Sequence, residues 1–140
     1  MVEVEKWHGS GSAQGKLQHI WMSGFRLFLI QGQKVMVIDF TGCEPKELLQ
    51  LLEEIQRTVA RHERGSLLTL VDLTGAHIDR TVATRIKEVL VLDRPFVKRS
   101  AWGGVDSLPK VYYENFRTFS QREIPPFRTR AEAMEWLVRE

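Results

Sequence analysis

The sequence predicts an α/β domain: a mainly parallel five-stranded sheet with an N-terminal antiparallel hairpin strand, and four helices packed largely on one face. Three observations carry that prediction. Apolar runs rich in β-formers alternate along the chain with segments of helical periodicity, the order expected of parallel strands joined by right-handed crossovers. The hexapeptides VIDFTG (37–42) and LVDLTG (70–75) each end a strand and lead into a helix. That echo places Asp39 and Asp72 at equivalent points of neighbouring strands. At 140 residues, the chain has the size of one domain with a real core.

Residues 1–24 read as a flexible tail, Gly/Ser-rich around HGSGS (8–12). Within it, the alternation in VEVE (2–5) fits a short strand, and LQHIWM (17–22) is apolar enough to lie against the domain. Trp7 and Trp21 read as covers for local apolar patches. The domain proper spans 25–140. Strands at 25–30 and 35–40 flank Gln31-Gly32-Gln33-Lys34, a short Gly-containing connection that makes them a hairpin. A helix follows, with Pro45 suited to its first position and Gly65 to its stop. Leu48, Leu52, Ile55 and Val59 form its inner stripe, widened by Leu49 and Leu51; Glu53, Glu54, Arg57 and Arg61 lie on its wet side.

The centre of the chain is 66–86. A seven-residue apolar run (67–73) fits a buried strand, a turn begins at Asp72-Leu73-Thr74-Gly75, and Asp79 is a good N-cap for the next helix. Val82, Ile86, Val89 and Leu90 recur at helical spacing, and Pro95 ends that helix near Arg94. A third parallel strand at 96–105 closes on Gly103-Gly104. Ser107 is placed to cap a helix whose inner face is Val111, Tyr112, Phe116 and Phe119. Residues 124–128 form a short strand, confined to a sheet edge by Pro125-Pro126. Thr129 and Glu132 suit a capping box for the last helix, where Met134, Leu137 and Val138 face inward.

Composition bounds the function. Hydrophobic content of 43% and charged content of 27% are those of a soluble globular protein. The net charge is +2, unevenly spread: from Arg80 onward twelve Lys/Arg face eight Asp/Glu. That excess is too small to argue for nucleic-acid binding. The single Cys43 excludes an intramolecular disulfide and a multi-Cys metal cluster. No stretch approaches the roughly 18 apolar residues of a membrane span, and the N-terminus lacks the apolar core of a secretory signal. A cytoplasmic location follows as the expectation.

Few residues suggest chemistry. Asp39 and Asp72 are candidate paired carboxylates, since ligands favour the C-terminal ends of α/β strands. Without an accompanying base, nucleophile or phosphate loop, the favoured reading is that each shapes its own Asp-x-Thr-Gly turn. His8, His19, His62 and His77 have no recognised metal-ligand spacing. Cys43 reads as a half-buried thiol, and Gly103-Gly104 as a tight strand exit. No cofactor motif is present. The better candidate is the rim where the central strand, its turn and a helix N-terminus meet: Asp72, Thr74, His77, Asp79, Arg80, Thr81 and Arg85. Thr81, in the first helical turn, is a candidate phospho-acceptor. A phosphate there meets helix amides and the positive end of the dipole.

The segments VMVIDFTG, LLTLVDLTGAHIDRTVATRI, PFVKRSAWGGV and AEAMEWL together resemble the STAS-like proteins of the anti-sigma-factor-antagonist fold. They are most similar to its small stand-alone bacterial branch, over about 25–140. The resemblance implies a mainly parallel sheet with helices largely on one face. In anti-sigma antagonists an Asp-Ser-Ser-Gly-like motif opens this helix, and its serine is phosphorylated by a partner kinase. Here Asp79 matches the acidic residue and Thr81 takes the acceptor position, while Arg80 and Val82 stand where the motif has serine and glycine. The wider superfamily resembles lipid carriers of the CRAL-TRIO type.

The function expected is a non-enzymatic regulatory or protein-interaction module that binds a protein partner through the rim and is phospho-switched at Thr81. The alternative is a carrier or sensor of a small apolar or lipid-like ligand, suggested by Tyr112, Tyr113, Phe116, Phe119 and Trp136. An enzyme acting through Asp39 and Asp72 ranks behind both, and a homodimer is a further expectation.

Overall fold

In the computed structural model, which describes residues 2–3, 8–9, 24–121 and 124–139, the β-forming segments join one sheet. Its strands are β1 (Val2–Glu3), β2 (His8–Gly9), β3 (Gly24–Ile30), β4 (Gln33–Asp39), β5 (Leu67–Asp72), β6 (Val97–Gly103) and β7 (Pro126–Phe127). The spatial order is β1-β3-β4-β5-β6-β7, with β2 also paired to β3. β1, β2 and β4 pair antiparallel with β3, and β4 to β7 run parallel. The five expected strands are all present, with four helices: α1 (Pro45–Val59), α2 (Arg80–Asp93), α3 (Lys110–Ser120) and α4 (Arg130–Val138). The rest of the tail expected at 1–24, with Trp7, LQHIWM and Trp21, lies outside the described residues.

Strand alternation sorts the core onto two faces. Phe25, Leu27, Met36, Ile38, Leu67 and Val71 face one way, into the larger cluster with α1, α2 and α3. Val35, Leu68, Leu70 and Ala101 face the other, against Ala133, Leu137 and Val138 of α4. Three helices on one face and one on the other explain why LLTLV of β5 is buried throughout. A strand covered on both sides reads as a continuous apolar run rather than an alternating one.

Local chemistry shifts several expected boundaries. The hairpin loop is only Gln31-Gly32, both with positive φ (52° and 76°), the geometry that follows strand twist; Gln33 and Lys34 therefore belong to β4. α1 starts as expected, with Pro45 first and a capping box between Glu44 and Glu47. It ends at Val59, not at Gly65. The Arg61 and His62 amides tighten onto the Thr58 and Val59 carbonyls, at 3.1 Å each. Gly65, at φ 66°, instead turns the chain into β5 and donates its amide to Pro95 O at 2.9 Å.

The largest departure is in α3. Ser107 falls in a short 3-10 turn, Val105–Ser107, and Pro109 is the N-cap. Phe116 and Ser120 are buried and Tyr112 is half-buried, a stripe at spacing four. Val111 (58% exposed) and Phe119 (43%) lie off it. An eleven-residue helix touching mainly one neighbour buries one narrow stripe, so apolar residues one position aside stay wet. α4 meets its expectation more closely: the Thr129 hydroxyl accepts from the Glu132 amide at 3.1 Å, and Leu137 and Val138 face inward with Ala133. Met134 is half-buried against the same cluster.

Candidate functional site

The C-terminal ends of β4, β5 and β6 share one rim, because Asp39 registers with Asp72 and Asp72 with Gly103. Each aspartate folds its own turn. Asp39 Oδ1 accepts the Thr41 amide at 2.9 Å. Asp72 Oδ1 accepts the Thr74 amide at 3.0 Å and its hydroxyl at 2.7 Å. Gly42 and Gly75 complete the turns at φ 66° and 68°, and the Gly42 amide ties them together by donating to Thr74 O at 2.9 Å. Gly104, at φ 70°, lies so close that a Cβ would meet the Thr74 nitrogen at 2.4 Å. The expected tight exit from β6 therefore packs directly on the second turn.

The outer oxygens of both aspartates hold a residue the sequence did not single out. Arg130 Nη2 lies 3.0 Å from Asp39 Oδ2 and 3.0 Å from Asp72 Oδ2. Burial alone raises the Asp72 carboxyl, but the Thr74 hydroxyl and amide and the Arg130 guanidinium outweigh it and leave its pKa below the ordinary value. Desolvation pulls Arg130 down, and the two carboxylates more than offset it, so its pKa is raised. A carboxylate pair neutralised by a shared arginine is a structural clamp, as the turn-shaping reading anticipates.

The seven predicted rim residues do not form one cluster. Asp72 and Thr74 belong to the clamp. His77 Nδ1 sits 2.9 Å from Glu44 Oε2, joining this loop to the start of α1, and the His77 amide donates to Cys43 O at 2.9 Å. Asp79 is the N-cap of α2, its Oδ1 accepting the Val82 amide at 2.8 Å. Arg80 and Thr81 are exposed, and among the described residues no acceptor meets their amides. Arg85 lies a turn further along and contacts Glu88 at 3.3 Å, beside a groove that includes Leu92 and Phe119. Cys43, expected half-buried, is only 1% exposed.

A second feature lies under the sheet, between β4–β6 and helices α1 to α3. It is a cavity of about 60 Å³ bounded by Leu52, Val71, Ile86, Val97 and Trp102, among others. Five polar side chains line it: Thr69, Asp93, Arg94, Ser100 and Ser120. The Thr69 and Ser100 hydroxyls bond each other, and the Ser120 hydroxyl donates to Arg117 O at 3.0 Å. Asp93 Oδ1 is buried and has no hydrogen-bond partner among the described residues. Desolvation raises its pKa to about 7. Periodicity hides this residue, since an aspartate in the last turn of a helix reads as solvated.

Among the described residues no helix is long and apolar enough to cross a membrane. Compared with known proteins, the chain matches no family model and no curated sequence.

Proposed function

We propose that this chain is a non-enzymatic, cytoplasmic regulatory module of the STAS-like type, which binds a protein partner through the rim carrying the start of α2. The observation that supports it most is the state of that first turn. Asp79 fixes the helix start, the neighbouring loops are tied to one another by backbone bonds, and the Arg80 and Thr81 amides remain open to an incoming acceptor. A rigid surface with unclaimed donors loses little entropy when it binds. Phosphorylation of Thr81 adds about −1.5 to −2 charge at the positive end of the α2 dipole, a change large enough to switch an interface. The commitment of Asp39, Asp72 and His77 to structural partners supports a binding role over a catalytic one.

Site-directed photo-crosslinking in the native cell tests this. A photoreactive side chain at Thr81 is expected to capture one discrete protein, and the same group at Glu53, on the wet side of α1, is expected not to. With the photoreactive group moved to the neighbouring exposed Arg80, Thr81→Glu should weaken the capture. Equal capture from both positions removes the rim from the mechanism. The cavity beneath the sheet favours a second reading, in which the module holds a small ligand.

A further inference from the structure

We infer that the outward face of α2 docks an acidic amphipathic helix of a partner protein, which lies from the rim at Arg80 along to a groove beside Phe119. The inference rests on the protein-partner reading and gives that partner's contact segment a chemistry. The face is continuous. Arg80, Thr84, Lys87 and Val91 follow one another at spacings of four, three and four, which places them in one row on the helix. Lys87 is half-buried and the other three are exposed. Toward the C-terminal end of α2 the row enters a groove of about 540 Å³, whose lining includes Lys87, Val91, Leu92 and Phe119.

Two observations select the occupant. Val91, Leu92 and Phe119 are 40%, 48% and 43% exposed. Among the described residues, three of the five large apolar side chains exposed to this degree therefore share one groove. Scattered apolar residues need no explanation, whereas a clustered set fits an apolar face that covers it. The second observation is charge. Arg85 is matched by Glu88 at 3.3 Å. Neither Arg80 nor Lys87 has a carboxylate within ion-pair distance among the described residues, and Lys87 Nζ stands over the Phe119 ring, 5.1 Å from its centroid. The positive end of the α2 dipole adds to the field at Arg80. Seven residues separate the two cations, about 10.5 Å along the axis, so they suit carboxylates two turns apart on a helix lying alongside. A second copy of this chain fits poorly, because the face brought against itself sets cations against cations. An anionic membrane is recognised by clusters of about four to eight Lys/Arg, more than the two unmatched here. A phosphate on Thr81, beside Arg80, repels an acidic segment, which gives the proposed switch its target.

Photoreactive groups at Thr81 and at Leu92 in the native cell test the placement. Both are expected to capture the same protein, through an acidic amphipathic segment of it. Capture from Thr81 alone overturns the docking face and leaves the rim reading standing; capture from neither overturns both. Fluorescent helical peptides of about 18 residues test the chemistry on the full-length protein. Two peptides share one Leu/Phe face, flanked by Glu in the first and by Lys in the second. The Glu peptide is expected to shift the amide NMR signals of α2 and the end of α3, and to bind about tenfold tighter than the Lys peptide. Raising salt from about 0.05 to 0.5 M should weaken it several-fold. Lys87→Glu should erase the preference, and Leu92→Ser, at an exposed position, should weaken both peptides. Equal binding of the two overturns the acidic assignment, and binding of neither overturns the docking face. Sedimentation with phosphatidylserine vesicles, in place of binding the Glu peptide, assigns the face to a membrane and overturns the inference.

Discussion

Arg130 shows what one side chain does at this rim. With Nη2 at 3.0 Å from a carboxylate oxygen on each of two neighbouring strands, it bridges Asp39 and Asp72 and helps hold the Asp72 carboxyl below its ordinary pKa. Arg130→Met keeps the packing and removes the charge, so the carboxylates then repel. A loss of about 1–2 kcal/mol at neutral pH is expected, held low because Arg130 is 44% exposed and solvent screens it. The sign with pH follows from Asp72, whose pKa is lowered on folding. Its contribution is present above the unfolded value of about 3.9 and is lost as pH falls through the lower folded value. Urea unfolding should therefore show the variant's deficit at pH 7 shrinking toward pH 3.5; a deficit independent of pH would mean that the charge is irrelevant. The two aspartates were legible because an Asp-x-Thr-Gly echo is local. Arg130 was not: it lies 58 residues from Asp72, and only the seating of α4 on the opposite face brings it there.

At the scale of elements, legibility follows how much of each segment is buried. β5 and α1 declared themselves, since a strand covered on both faces and a helix with a broad apolar stripe leave strong patterns. α3 misled, because its aromatic residues outnumber its buried positions. The structure assigns Phe116, with 0% exposure, to the core and leaves Val111 and Phe119 wet. Phe119 is not idle: Lys87 Nζ sits 5.1 Å from its ring centroid, an exposed cation–π contact of about 0.5–1 kcal/mol. Phe116→Ala is expected to cost about 3–5 kcal/mol, since it empties a site against Trp102 and Tyr112. Val111→Lys should change stability by less than about 0.5 kcal/mol. Denaturant midpoints for the two variants check the register of α3. Comparable losses would restore the sequence-based face.

For the whole molecule, two aspartates set opposite slopes of stability with pH. Asp72, with a lowered pKa, makes the fold weaker in acid. Asp93 acts the other way. Burial raises its pKa to about 7, so between the unfolded value near 3.9 and the folded one the native state holds a proton that the unfolded chain has released. Its stabilisation is complete below that window and falls as pH rises through it, by up to roughly 1.4 kcal/mol per pH unit. Acting together, the pair place maximum stability on the acid side of neutrality, near the unfolded carboxylate pKa. Unfolding free energy should decline from about pH 5 to pH 8 by on the order of 2–4 kcal/mol, and Asp93→Asn should flatten the decline by removing the proton that drives it. Urea titrations of both proteins across that range decide the matter: a flat wild-type profile would mean that Asp93 finds a donor and is not held neutral.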